Sequence, residues 1–127
     1  MEINSKSRVL TIAAGILGFL GVAIGAFGAH SLSGKISPEM MNIYHTGVMY
    51  HLIHAVVILA IGLSSKDKFY IAGIFFILGI ILFSFSLYLY ALTSVLVFAF
   101  ITPFGGMFFL IGWLVVVIKA VKKQGTI

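Results

Sequence analysis

Acidic residues are almost missing from this chain: three Asp and Glu in 127 residues, against eight Lys and Arg and four His. Charged residues of both signs make up only 9%, where a soluble domain carries roughly 25%. No Asp, Glu, Lys or Arg falls inside any of the long apolar runs, which counts against an ion-coupled pump, because such machines place carboxylates at depth. Cysteine is absent as well, which excludes disulfides, thiolate metal ligands and iron–sulfur sites. Nor is there an H-E-x-x-H, a G-x-S-x-G or a phosphate-binding loop, and we expect no enzyme.

What remains is apolar. Hydrophobic residues reach 61% and the mean hydropathy is +1.21, values of an integral membrane protein. Four runs approach the ~20 residues that cross a bilayer as a helix, about 9–29, 46–63, 69–90 and 95–118. They lack the alternation of barrel strands, and backbone groups in lipid must be satisfied within their own segment. The expected fold is therefore all-α, a single domain over 1–127 forming an antiparallel bundle of four transmembrane helices. The first run is too long for the core of a cleavable signal peptide and is expected to be retained.

The basic residues give a direction. Lys6, Arg8, Lys66, Lys68, Lys119, Lys122 and Lys123 fall on one side of a four-span topology, and Lys35 alone on the other. By the positive-inside rule both termini are cytoplasmic. The cations sit beside apolar runs rather than along one face, so the partner is the lipid bilayer and not nucleic acid. Ser37-Pro38-Glu39 is a helix-start signal, with an N-cap, a proline at the first helical position and an acid in the first turn.

Small residues mark the contacts. Gly18, Gly21, Gly25 and Gly28 form a stripe on the first span that ends at His30, and such spacing lets helix backbones approach closely. The stripe serves packing inside the bundle or association with a second copy or another membrane protein; spacing does not separate them. In the fourth span Pro103 removes a backbone hydrogen bond, and Gly105 and Gly106 make distortion there inexpensive. That stretch reads either as a kink for packing or as a broken helix whose freed backbone lines a cavity.

The polar side chains gather toward the outer half. His51 and His54 lie on one face of the second span, which suits a hydrogen bond between helices, proton or solute handling, or two of the ligands of a metal. The candidate polar cavity comprises His30, Tyr50, His54, Ser84, Tyr88 and Thr102. No metal or cofactor is expected.

Several blocks together carry a likeness: Gly25-Ala-Phe-Gly-Ala-His30, Thr46-Gly47 with Tyr50 and His54, Leu82-Phe83-Ser84 with Ser86-Leu87-Tyr88, and Ile101-Thr-Pro-Phe-Gly-Gly106 with Gly112-Trp113. In that order they resemble the small multi-pass proteins of domain-of-unknown-function family 423. The resemblance implies an inner- or plasma-membrane protein with four spans, and the family name carries no activity. It singles out His30, Thr46, Gly47, Tyr50, His54, Ser84, Tyr88, Thr102, Pro103, Gly105 and Gly106. Two positions depart from it, His51 where Gln is frequent and Phe85 where a small Gly is usual; the first takes weight from a paired-histidine metal site. The leading expectation is a non-enzymatic helix bundle acting as an accessory or structural component. The alternative is a small channel or carrier with an outward-facing polar cavity.

Overall fold

Asn4 starts the first helix: its side-chain oxygen accepts the Ser7 backbone N–H at 2.8 Å, the capping contact that a fresh helix end requires. The computed structural model describes residues 4–64 and 66–122, so Ser65 of the second turn and Lys123 of the basic set lie outside the described residues. Helix α1 (Ser5–Phe27) runs on through a wider π turn, Gly28–Leu32. Gly34, at φ +81°, turns the chain in the left-handed region that glycine tolerates. Helix α2 (Pro38–Ser64) then opens with the Ser37 hydroxyl accepting the Met40 N–H at 3.1 Å, as its start signal predicts.

A short 3₁₀ turn at Asp67–Phe69 leads into α3 (Tyr70–Gly79), a second π turn at Ile80–Ser84, and α4 (Phe85–Thr93). These pieces form one span. After Ser94 in the left-handed conformation comes α5 (Leu96–Val121). The result is four helices long and apolar enough to cross a membrane: Ser5–Leu32, Pro38–Ser64, Asp67–Thr93 and Leu96–Val121. The fold is all-α, and no strand occurs among the described residues.

The third span is central. It packs against α2 on one side and α5 on the other, α1 lies mainly on α2, and the backbones of α2 and α5 stay apart. One apolar cluster, built on Leu10, Leu17, Ile58, Phe76, Ile80 and Phe109, fills the end where the termini lie. A second, around Leu32, Tyr44, Tyr88 and Ala91, fills the other. The outward faces of α1 and α5 are bare and apolar, with Phe19 74% and Phe100 69% exposed, an arrangement costly in water and natural against lipid.

In the fourth span one of the two readings falls away. The helix is not broken at Thr102–Gly106: α5 continues through Pro103, which forfeits only its own bond to the Ala99 carbonyl. The irregular backbone lies opposite, in the π turn of the third span. A Cβ on Gly105 would stand 2.2 Å from the Phe83 backbone nitrogen, so this glycine is the space into which the widened turn fits. Gly106 faces more room, with the Phe83 ring 3.7 Å from an added Cβ.

The glycine stripe of α1 divides in a similar way. Added Cβ atoms on Gly21, Gly25 and Gly28 would meet Leu52, Val48 and Tyr44 of α2, at 2.6, 3.2 and 2.3 Å. At Gly18 such an atom would meet nothing within 4 Å, so this residue is not part of the contact. Gly18→Ala is accordingly expected to stabilise the protein by up to ~1 kcal/mol through helix propensity alone. Gly28→Ala is expected to destabilise it by about 1–3 kcal/mol through overpacking on the Tyr44 ring. Thermal unfolding of the two variants in the same detergent should give midpoints that move in opposite directions.

Candidate functional site

A helical side chain covers the turn before its own Cα, so a glycine uncovers the carbonyl of that turn. Two glycines of the first span do this. Beside Gly21 the Leu17 carbonyl accepts a hydrogen bond from His51 Nε2 at 2.7 Å, and beside Gly28 the Ile24 carbonyl accepts one from the Tyr44 hydroxyl. Close packing and polar recognition between α1 and α2 therefore have one cause.

The Leu17 contact fixes the tautomer of His51. A carbonyl can only accept, so Nε2 carries the hydrogen and Nδ1 accepts from the Tyr88 hydroxyl at 2.8 Å. The imidazole is 0% exposed and links α1, α2 and α4 through its two ends. Its ring stands at right angles to that of Phe85, with centroids 5.5 Å apart. One turn away, the Ser84 hydroxyl donates to the Gly47 carbonyl at 2.8 Å. A Cβ on Gly47 would lie 2.8 Å from the Tyr88 ring, which makes this glycine a seat for Tyr88.

His54 carries the opposite tautomer. Its Nδ1–H donates to the Tyr50 carbonyl at 2.8 Å, and Nε2 accepts from the Trp113 indole N–H at 3.0 Å. The ring stacks on Phe109 with centroids 3.9 Å apart and planes 13° from parallel, so aromatic side chains bridge the gap between α2 and α5. Beside this bridge lies a cavity of about 380 Å³, lined by Tyr50, His54, Phe83, Pro103, Gly106 and Trp113 together with Met107, Phe109 and Leu110.

The six side chains expected to share one polar cavity are thus distributed over four places. Tyr50 and His54 line the groove between α2 and α5. Ser84 and Tyr88 are buried in the network around His51, behind the groove rather than in it. The Thr102 hydroxyl is 2.6 Å from that of Ser86 and donates to the Phe98 carbonyl at 3.2 Å, tying α4 to α5. His30 is exposed at the end of α1. The physical reason is orientation: depth along a span is read from spacing, but the direction a side chain faces depends on which neighbour each helix meets.

Both buried imidazoles have their two nitrogens in hydrogen bonds, so no ring lone pair remains for a metal. Among the described residues no three of His, Cys, Asp and Glu gather. The sequence gives little weight to His51 and shows Trp113 only as part of the Gly112-Trp113 block. Gly21, four residues after Leu17, was the available clue to the first. Nothing in the local pattern marked the second.

Comparison with known proteins agrees with this architecture. The model of the family described as protein of unknown function DUF423 matches residues 24–106. The UPF0382 membrane protein YwdK of Bacillus subtilis (strain 168) is 42% identical over 120 residues, covering 91% of this chain and 98% of the relative. The UPF0382 inner membrane protein YgdD of Escherichia coli (strain K12) is 40% identical over 122 residues, 93% of each chain. The UPF0382 membrane protein SERP0230 of Staphylococcus epidermidis is 41% identical over 121 residues, 93% of this chain and 99% of its own. No solved structure matches. With four spans built as the blocks from Gly25 to Gly106 imply, the chain belongs to the DUF423, or UPF0382, family of membrane proteins.

Proposed function

We propose that the chain is a non-enzymatic helix bundle of the cell membrane, an accessory or structural component whose outward faces meet a partner in the bilayer, either another membrane protein or a second copy. One observation supports this reading above the others: most polar side chains of the core are held by one another or by backbone carbonyls, the buried Thr11 hydroxyl being an exception among the described residues. His51, Tyr88, Ser84, Ser86 and Thr102 all hold hydrogen bonds between or within helices, which leaves them few free groups for chemistry or for a path across the membrane. A channel or carrier has less support, because its proposed lining residues are divided among separate contacts. Liposome flux of small ions is expected to match protein-free vesicles.

The proposed orientation puts both termini in the cytoplasm, on the side of Lys6, Arg8, Lys66, Lys68, Lys119 and Lys122. The cysteine-free chain makes this easy to test. A membrane-impermeant maleimide added to intact cells is expected to label Lys35→Cys and to leave Lys68→Cys unlabelled until the membrane is opened. The reverse pattern would invert the topology.

The accessory reading is tested by photo-crosslinking in native membranes from positions Phe19 and Phe100 on the exposed faces of α1 and α5. A discrete adduct of reproducible mass from one of them is the expected result. Only diffuse lipid adducts from both would end the proposal.

A further inference from the structure

The groove between α2 and α5 has a chemistry that the accessory reading does not use. It lies where the two helix backbones stay apart, and Tyr50 and Trp113 on its rim are 38% and 42% exposed, so it opens sideways toward the hydrocarbon of the bilayer. Along α5 it extends from Pro103 to Trp113, about 15 Å at the helical rise per residue. With its volume of about 380 Å³ it is a slot for one narrow, elongated molecule.

The walls are flat rings. Tyr50 lies 4.8 Å from Phe83 between centroids and 6.1 Å from each of Phe109 and His54, which stack on one another. Almost every polar atom here is already committed: His54 Nδ1 to the Tyr50 carbonyl, His54 Nε2 to the Trp113 indole. The exception is the Tyr50 hydroxyl, which meets no hydrogen-bond partner among the described residues. In hydrocarbon an O–H without an acceptor is costly. The slot therefore calls for an occupant with a flat apolar group and one acceptor oxygen.

Depth selects among such molecules. Tyr50 is near the middle of α2, and its ring lies against Phe109, near the middle of α5. Phospholipid ester carbonyls are held at the interface by their headgroups, whereas an isoprenoid quinone carries its ring carbonyls into the hydrocarbon and trails a narrow apolar tail. We infer that the groove binds a lipid-soluble quinone, its ring against the aromatic wall of Tyr50, Phe83 and Trp113 and a carbonyl oxygen accepting from the Tyr50 hydroxyl. This goes beyond the accessory role and stands apart from it; the bundle can bind a quinone whether or not a protein partner is found.

Trp113 is the only tryptophan of the chain and sits in the groove, so its emission reports on this site alone. Decylubiquinone titrated into nanodiscs of phosphatidylethanolamine and phosphatidylglycerol is expected to quench Trp113 saturably, above the linear collisional background. Tyr50→Phe should raise the half-saturating concentration about fivefold, the size of one net hydrogen bond. Gly106→Leu, which places a side chain in the groove beside the Phe83 ring, should abolish the saturable part while the thermal midpoint shows that the bundle is still folded.

Quenching that stays linear, or that is the same in the parent and both folded variants, would overturn the inference. So would hexadecane protecting Trp113 as well as the quinone is bound, since the groove would then hold plain hydrocarbon. A disulfide between two copies through Met107→Cys that forms equally with and without quinone would overturn it in favour of a second copy as the occupant.

Discussion

Gly105→Ala is expected to lower the stability of the bundle by about 3 kcal/mol, the upper end of what overpacking a filled core costs. The added Cβ would stand 2.2 Å from the Phe83 nitrogen and 2.6 Å from the Leu82 carbonyl carbon. Both are backbone atoms, so no rotamer change can make room. The helices must separate or the π turn must rearrange, and either response loosens α5 from the third span, its main neighbour. Gly106→Ala is the matched control. Its new methyl would meet only the Phe83 ring at 3.7 Å, an ordinary contact, and helix propensity would then favour alanine by up to ~1 kcal/mol. Reversible unfolding in mixed micelles of rising dodecyl sulfate content should separate the neighbours by about 3–4 kcal/mol. Equal effects would mean that α5 and the third span do not meet as described.

That pair also shows where the sequence is readable and where it is silent. Pro103-Phe-Gly-Gly106 announces that the fourth span is special, yet the pattern alone does not tell that a widened turn of the third span lies against it. The π turn at Ile80–Ser84 contains neither proline nor glycine, and an insertion of one residue into a helical turn leaves no local signature in an apolar run. Its partner glycine was the visible half of the contact. The same holds for α1: periodicity identifies a stripe of small residues, but Gly18 and Gly21 differ only in what faces them, a property of the neighbouring helix. By contrast Ser37-Pro38 fixes the start of α2 because capping is satisfied within a few residues of chain.

The histidines extend the lesson to the site. His51 and His54 are three residues apart on one helical face, and each makes the hydrogen bonds between helices that such a position suits, but to different helices, α1 and α4 for one and α5 for the other. A carbonyl uncovered by a glycine is invisible until the helix carrying it is docked. The two networks then do separate work: one locks α1 and α4 to α2, and the other props α5 away from it.

His51→Ala is the second large expected effect, and magnitudes decide its cause. Two hydrogen bonds are lost, but in membranes such bonds average only ~0.6 kcal/mol and reach about 1.7 at most. Leu17 also loses little, because a helix carbonyl in mid-helix keeps its own backbone partner. Emptying a site that is 0% exposed costs more, about 2–5 kcal/mol for a side chain of comparable size. We therefore expect a loss of about 3 kcal/mol, dominated by the cavity. His51→Leu, which refills the space, should recover much of it while taking from the Tyr88 hydroxyl its His51 acceptor, a residual penalty of about 1–3 kcal/mol. Adding Tyr88→Phe removes that hydroxyl, so the double variant His51→Leu/Tyr88→Phe is expected within about 1 kcal/mol of the parent. The double variant is then expected to lose about 1 kcal/mol or more less than the sum of the two single losses, read in the same dodecyl sulfate titration. If the two changes add without coupling, the hydroxyl of Tyr88 is not held by His51. If His51→Ala itself costs under about 0.5 kcal/mol, the imidazole does not fill the seam between α1, α2 and α4, and Gly21 would need another reason to be glycine.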